Sequence, residues 1–76
     1  MYILGDIGNT ETKLCLVSKK NKILKKIIFL SKSVNNKQLN ILFNKNKIQL
    51  NKIEKILFCS VVPKTFDVIK KFLSKK

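Results

Sequence analysis

The sequence predicts an α/β fold built on a mixed sheet, with its elements in the order β-β-β-α-β-α. Three observations predict it. Residues 2–30 hold three short apolar segments separated by tight turn chemistry, residues 37–44 carry apolar positions at a helical spacing, and residues 56–62 form a nearly continuous apolar run that leads into Pro63 and a second helical pattern. Strands joined by short turns pair antiparallel, whereas a strand reached through a helix can return parallel to the first.

The elements follow in order. Tyr2–Ile7 is apolar until Gly5 and Asp6 and reads as a short buried strand. Gly8, Asn9 and Thr10 are turn residues, with Gly and Asn both tolerant of positive φ. Residues 12–17 form a second strand, close enough to the first for an antiparallel hairpin. A polar turn at residues 19–22 leads to a third strand, Ile23–Leu30, in which Lys25 and Lys26 break the apolar pattern. Asn36 is the expected cap of a helix over residues 37–44, because Leu39, Leu42 and Phe43 fall on one face at i, i+3, i+4. Residues 44–51 are rich in Lys and Asn and are expected to be irregular, with Ile48 and Leu50 tacked onto the core. The run 56–62, interrupted only by Ser60, suits a strand buried on both faces in a parallel pairing with the first. Pro63 fits the first turn of a closing helix, where its missing N–H is no loss. In that helix Phe66, Ile69 and Leu73 share a face, Asp67 lies near the start, and Lys70, Lys71, Lys75 and Lys76 lie near the end. The two helices are expected to cover part of the sheet and leave an apolar area uncovered.

A chain of 76 residues forms at most one small domain of marginal stability. With two cysteines, Cys15 and Cys59, and no histidine, neither a disulfide framework nor a zinc site is indicated. Both thiols read as small core residues of a reducing compartment. The formal charge of +13 invites a nucleic-acid reading. Every basic residue is Lys, however, and Arg, Ala and Trp are absent while Ile and Asn abound. Lys, Asn and Ile have AT-rich codons, so base composition alone accounts for the lysines. Arg, the residue best suited to bidentate phosphate and guanine contacts, is missing. No specific nucleic acid is therefore expected as a partner, although a small basic nucleic-acid-binding or interaction module remains an alternative. No membrane partner is expected either: Tyr2 to Leu4 is too short for a signal peptide and no segment has the length of a membrane span. The expected location is the cytoplasm.

The segment Asp6-Ile7-Gly8-Asn9-Thr10 carries the chemistry. After a buried strand, Gly8 lets the backbone approach a ligand without a Cβ in the way. The turn's N–H groups and the Thr10 hydroxyl are suited to donate to phosphate oxygens. Asp6, at the strand end, is suited to hold Mg²⁺ directly or through water, or to orient a nucleotide's phosphates. Lys13 lies close enough to add positive charge, and its side chain equally suits a position in solvent. Taken alone, the same five residues equally suit an ordinary hairpin turn. A second segment, Ser60-Val61-Val62-Pro63, follows the apolar run and precedes a helix.

Together, in this order and in these contexts, the two segments resemble type III pantothenate kinases. That family shows an Asp-φ-Gly-Asn-Thr loop (φ apolar) between two strands and, later, a strand ending in Ser-Val-Val-Pro before a helix. Both patterns are matched here, by Asp6, Gly8, Asn9 and Thr10 and by Ser60 to Pro63. Between Asn21 and Ile53 the resemblance rests on the order of elements. It implies the actin and sugar-kinase superfamily fold, in which ATP lies between two ribonuclease-H-like domains. Residues 1–76 are then the amino-terminal part of the first such domain, a partial ribonuclease-H-like unit with the second domain absent.

The activity implied is transfer of the ATP γ-phosphoryl group to pantothenate, giving 4'-phosphopantothenate in coenzyme A biosynthesis. The implied cofactors are ATP with Mg²⁺ and a monovalent cation, K⁺ or NH₄⁺, in a homodimeric enzyme. The family's ATP loop maps onto Asp6, Ile7, Gly8, Asn9, Thr10, Glu11, Thr12 and Lys13, the last three by position only, with Asp6 toward the metal. The family's general-base aspartate, in a Gly-x-Asp-Arg segment, has no counterpart in residues 1–76, and Glu54 and Asp67 read as surface charge. No catalytic residue is therefore expected in this chain. It is expected to be inactive without a carboxy-terminal half, because phosphoryl transfer needs groups from several elements. A fragment of another superfamily kinase, of the acetate- or sugar-kinase kind, is the further alternative.

Overall fold

A computed structural model of the chain describes residues 1–59 and 62–74. The elements are β1 (Tyr2–Ile7), β2 (Glu11–Val17), β3 (Ile23–Leu30), α1 (Asn36–Lys45), a short 3₁₀ turn (Leu50–Lys52), β4 (Lys55–Cys59) and α2 (Pro63–Leu73). They form one four-stranded mixed sheet in the order β3-β2-β1-β4. The meander pairs antiparallel, with Tyr2 opposite Val17 and Ile7 opposite Thr12. β4 runs parallel to β1, with Ile3 beside Ile56 and Gly5 beside Phe58. The predicted α/β class and element order are those observed, in the arrangement of a partial actin/sugar-kinase-type domain. Of the expected run 56–62, Ser60 and Val61 lie outside the described residues, as do Lys75 and Lys76.

Alternation along the strands decides which sheet face is covered. Ile3 and Ile7 of β1, Leu14 and Leu16 of β2, and Ile27 and Phe29 of β3 point to one side and are buried. They join Leu39 and Phe43 of α1 and Ile69, Phe72 and Leu73 of α2 in one core. The Phe43 and Phe72 rings meet edge to face at 4.9 Å and close the seam between the helices. Ile48 and Ile53 complete the core from the irregular connection.

The opposite face is open and largely apolar. Leu4, Ile28, Leu30 and Leu57 are between 39% and 58% exposed there. Cys15 and Cys59 lie on the same face, half-buried and exposed respectively, and both are free thiols. The reading of them as core residues is corrected by the register: Cys15 stands opposite Leu4, and Cys59 stands beside Asp6, on the uncovered side. The expectation that β4 is buried on both faces is corrected for the same reason. Ile56 and Phe58 are half-buried under the helices, while Leu57 faces outward.

Three local details also differ from expectation. The cap of α1 is Asn35, whose Oδ1 accepts from the Gln38 N–H at 2.8 Å, so the helix begins at Asn36. α1 also continues through Lys45, and Leu50–Lys52 is a 3₁₀ turn within a segment expected to be irregular. The turn after β1 uses no positive φ, since among the described residues only Asn21 and Lys47 adopt one. No helix among the described residues is long and apolar enough to cross a membrane.

Candidate phosphate loop at the end of the central strand

The turn between β1 and β2 sits at the carboxyl end of an inner strand of the sheet. Because β4 is parallel to β1, the connection from β4 to α2 lies at that same end. The two segments singled out in the sequence, Asp6 to Thr10 and the approach to Pro63, are thereby gathered together, although Ser60 and Val61 lie outside the described residues.

Within the turn, the Gly8 N–H donates to the Glu11 carbonyl at 2.9 Å. A Cβ on Gly8 would stand 2.9 Å from that same carbonyl oxygen, closer than a carbon can rest. Close backbone approach, rather than positive φ, is what requires glycine here. Asn9, Thr10 and Glu11 are exposed.

The side chains on either side of the turn alternate as the strands do. Asp6 and Lys13 are cross-strand partners and both project from the open face. They border a shallow cleft of about 220 Å³ lined also by Leu4, Cys15, Leu57 and Cys59. No ion pair joins them; the two ion pairs among the described residues both go to Glu54, from the amino terminus and from Lys19. Asp67 is exposed on α2. Ile7 and Thr12 instead point into the core, at 1% and 0% exposure. The Thr12 side chain therefore supports the turn from beneath.

The support is a buried hydroxyl network that sequence reasoning did not find. Ser31, just past β3, is 2% exposed and is its hub. Its hydroxyl donates to the Gly8 carbonyl at 2.6 Å, and its N–H donates to the Thr10 carbonyl at 2.8 Å. The hydroxyls of Ser31 and Thr12 are 2.7 Å apart. Ser31 has a single hydroxyl proton, committed to Gly8, so Thr12 is the donor in that pair. Thr65, in the first turn of α2, donates to the Ser31 carbonyl at 2.9 Å. The turn, β2, the end of β3 and the start of α2 are thus tied through one residue. A serine following a strand reads as turn chemistry; only the pairing register, which sets Glu11 opposite Leu30, shows that Ser31 must lie against Thr10.

This network also orients the turn. A trans peptide holds its C=O and the next N–H on opposite sides of one plane. With the Gly8 carbonyl turned inward to Ser31, the Asn9 N–H faces away, and Asn9 has no hydrogen-bond partner among the described residues. Among those residues no group of three or more His, Cys, Asp or Glu side chains is placed to hold a metal ion by itself. Asp6 offers one carboxylate, a donor set that fits Mg²⁺ held mainly by phosphate oxygens and water.

The mixed β3-β2-β1-β4 sheet and the order β-β-β-α-β-α are those of an α/β protein with a partial actin/sugar-kinase-type arrangement. Comparison with known proteins gives the family. Residues 2–76 match the family model described as type III pantothenate kinase. Over 75 residues, 99% of its length, the chain is 51% identical to a type III pantothenate kinase of Pelagibacter ubique. The chain belongs to the type III pantothenate kinase family. It spans 30% of the length of that relative.

Proposed function

We propose that this chain supplies the ATP-phosphate loop of a pantothenate kinase, as the amino-terminal part of the first of two ribonuclease-H-like domains. The reaction of such an enzyme is phosphorylation of pantothenate by ATP to 4'-phosphopantothenate, in the cytoplasm, as the entry to coenzyme A synthesis. One observation carries the reading. The Gly8 carbonyl is turned inward to Ser31, which leaves the Asn9 N–H facing outward beside the exposed Thr10 hydroxyl and Asp6.

In this reading Asn9 and Thr10 donate to phosphate oxygens, while Glu11 and Lys13 border the site. Asp6 stands toward Mg²⁺, which, when bound with ATP, neutralises phosphate charge. A carboxylate close to phosphates is unfavourable without such a cation, because like charges are brought together. The monovalent cation, K⁺ or NH₄⁺, is a family property for which no donor in this chain is assigned. Pantothenate, the general base and the homodimer contacts belong to the carboxy-terminal part. The chain alone is therefore inactive.

The experiment is a chimera in which this chain replaces the matching segment of the Pelagibacter ubique relative. The chimera is expected to form ADP in a pantothenate-dependent manner with Mg²⁺ and K⁺, and the 76-residue chain to form none above a blank. A folded chimera without activity contradicts the reading.

A further inference from the structure

Ser31 makes four hydrogen bonds: two hold the turn itself, and the other two join β2 and α2 to it. It fixes the Gly8 and Thr10 carbonyls from within, receives the Thr12 hydroxyl, and receives Thr65 from α2. Two carbonyls bonded to Ser31, at positions 8 and 10 on either side of Asn9, are what hold the exposed side of the turn in one conformation. Nothing else among the described residues bonds the Gly8 carbonyl. All three hydroxyl residues are buried, Thr12 at 0%, Ser31 at 2% and Thr65 at 4%, so water does not replace a lost partner freely.

We propose that Ser31 is a positioning residue that sets the Gly8–Glu11 turn with its donors outward, and that Thr65 transmits the placement of α2 to it. This rests on the phosphate-loop reading above. Ser31 touches no reacting group: it acts through the Gly8 carbonyl. Removing its hydroxyl leaves that part-buried carbonyl without a donor. The 8–9 peptide then rotates toward solvent to regain a hydrogen bond, and the Asn9 N–H swings inward. Phosphate binding falls because its donor has turned away, although no residue of the turn has changed.

The test uses the 76-residue chain labelled with ¹⁵N. Site-resolved amide exchange is followed without ligand, and amide shifts are followed on titration with Mg²⁺ and inorganic tripolyphosphate. The parent is expected to show shifts concentrated at Gly8, Asn9 and Thr10. Ser31→Ala is expected to speed exchange at Gly8 about tenfold and weaken tripolyphosphate binding about tenfold, the factor that one ordinary hydrogen bond represents. Amides in the middle of β1 and β2 should keep their parent rates. Thr65→Val, which removes one tie to the Ser31 carbonyl and keeps the shape, should act in the same direction by about threefold, as a weaker share of the same bonding. Ile48→Val, in the core away from the turn, is the stability control and should leave binding unchanged.

The proposal is overturned if Ser31→Ala leaves Gly8 exchange and binding at parent values. It is equally overturned if all sheet amides loosen together, since that marks a purely structural residue. Absence of any tripolyphosphate shift in the parent overturns the phosphate-loop reading instead, and with it the functional part of this proposal. The exchange data still decide whether Ser31 sets the turn.

Discussion

Gly8→Ala isolates the geometry of the turn. The backbone of Gly8 is not at positive φ, so alanine meets no conformational penalty of that kind. Its Cβ would instead lie 2.9 Å from the Glu11 carbonyl oxygen, which also accepts the Gly8 N–H at 2.9 Å. The obstacle is backbone and cannot swing aside as a side-chain tip does. Relief requires the hairpin to open, which stretches that hydrogen bond and pulls on the Ser31 contact to the Gly8 carbonyl. Overpacking and a weakened, part-buried hydrogen bond together cost about 1–3 kcal/mol. For a domain of this size each kcal/mol lowers Tm by about 4–8 °C. The loss is a large share of a total stability of roughly 4–11 kcal/mol for such a length. Thermal unfolding followed by circular dichroism reads the change. Asn9→Ala, at the exposed neighbour, is the control and should stay within about 0.5 kcal/mol. A Gly8→Ala chain that melts with the parent, with unchanged amide shifts at Thr12 and Ser31, refutes the close-approach argument.

Other outcomes follow from the same structure. Asn35→Ala should lower stability by about 1 kcal/mol, measured by urea unfolding, because the Gln38 N–H loses its cap. Gly5→Ala should destabilise by about 1–3 kcal/mol, since a Cβ there runs into the Phe58 ring, itself held edge to face by Phe66 at 5.3 Å. Combining it with Phe58→Ala should cost less than the sum of the two, as read in a double-mutant cycle. DNA and RNA binding, followed by fluorescence anisotropy, should be weak, indifferent to sequence and steeply reduced by salt. Tight binding to one sequence would show a selected role for the lysines.

Most of the fold was legible because period and punctuation agree. Tyr2–Ile7 runs into turn residues at its end and Ile23–Leu30 lies between turn residues, and the limits of both match the sequence reading. Pro63 opens α2 as its missing N–H allows. The cap was misplaced by one residue because Asn35 and Asn36 are chemically identical candidates, and only backbone geometry separates them. Thr65 and Phe72 were missed as buried residues of α2, because the apolar spacing of Phe66, Ile69 and Leu73 already satisfied one face. Burial of the run around Leu57 was overestimated, since apolar composition reports what a strand can bury and not what lies over it.

The candidate site was legible in part. Asp6, Gly8, Asn9 and Thr10 carry local signals of turn and charge. Gly5 carried one too, for a glycine inside a strand marks close approach, here by the Phe58 ring. Ser31 carried none. Its role depends on contacts with Gly8, 23 residues away, and Thr65, 34 residues away, which no local pattern encodes.

Asp6→Asn, made in the active chimera with the Pelagibacter ubique relative, bears most directly on the assignment of this segment to phosphate and metal. Asparagine keeps the size and turn preference of aspartate, and Asp6 is exposed, so melting should be unchanged. Loss of its charge should lower kcat by on the order of 10²–10³, the range for a group that stabilises transition-state charge. Thr10→Val, which removes one neutral donor, should cost about 1 kcal/mol or somewhat more. A folded Asp6→Asn chimera with activity within about twofold of its parent, far short of that range, would contradict the assignment and return Asp6 to Thr10 to an ordinary hairpin turn.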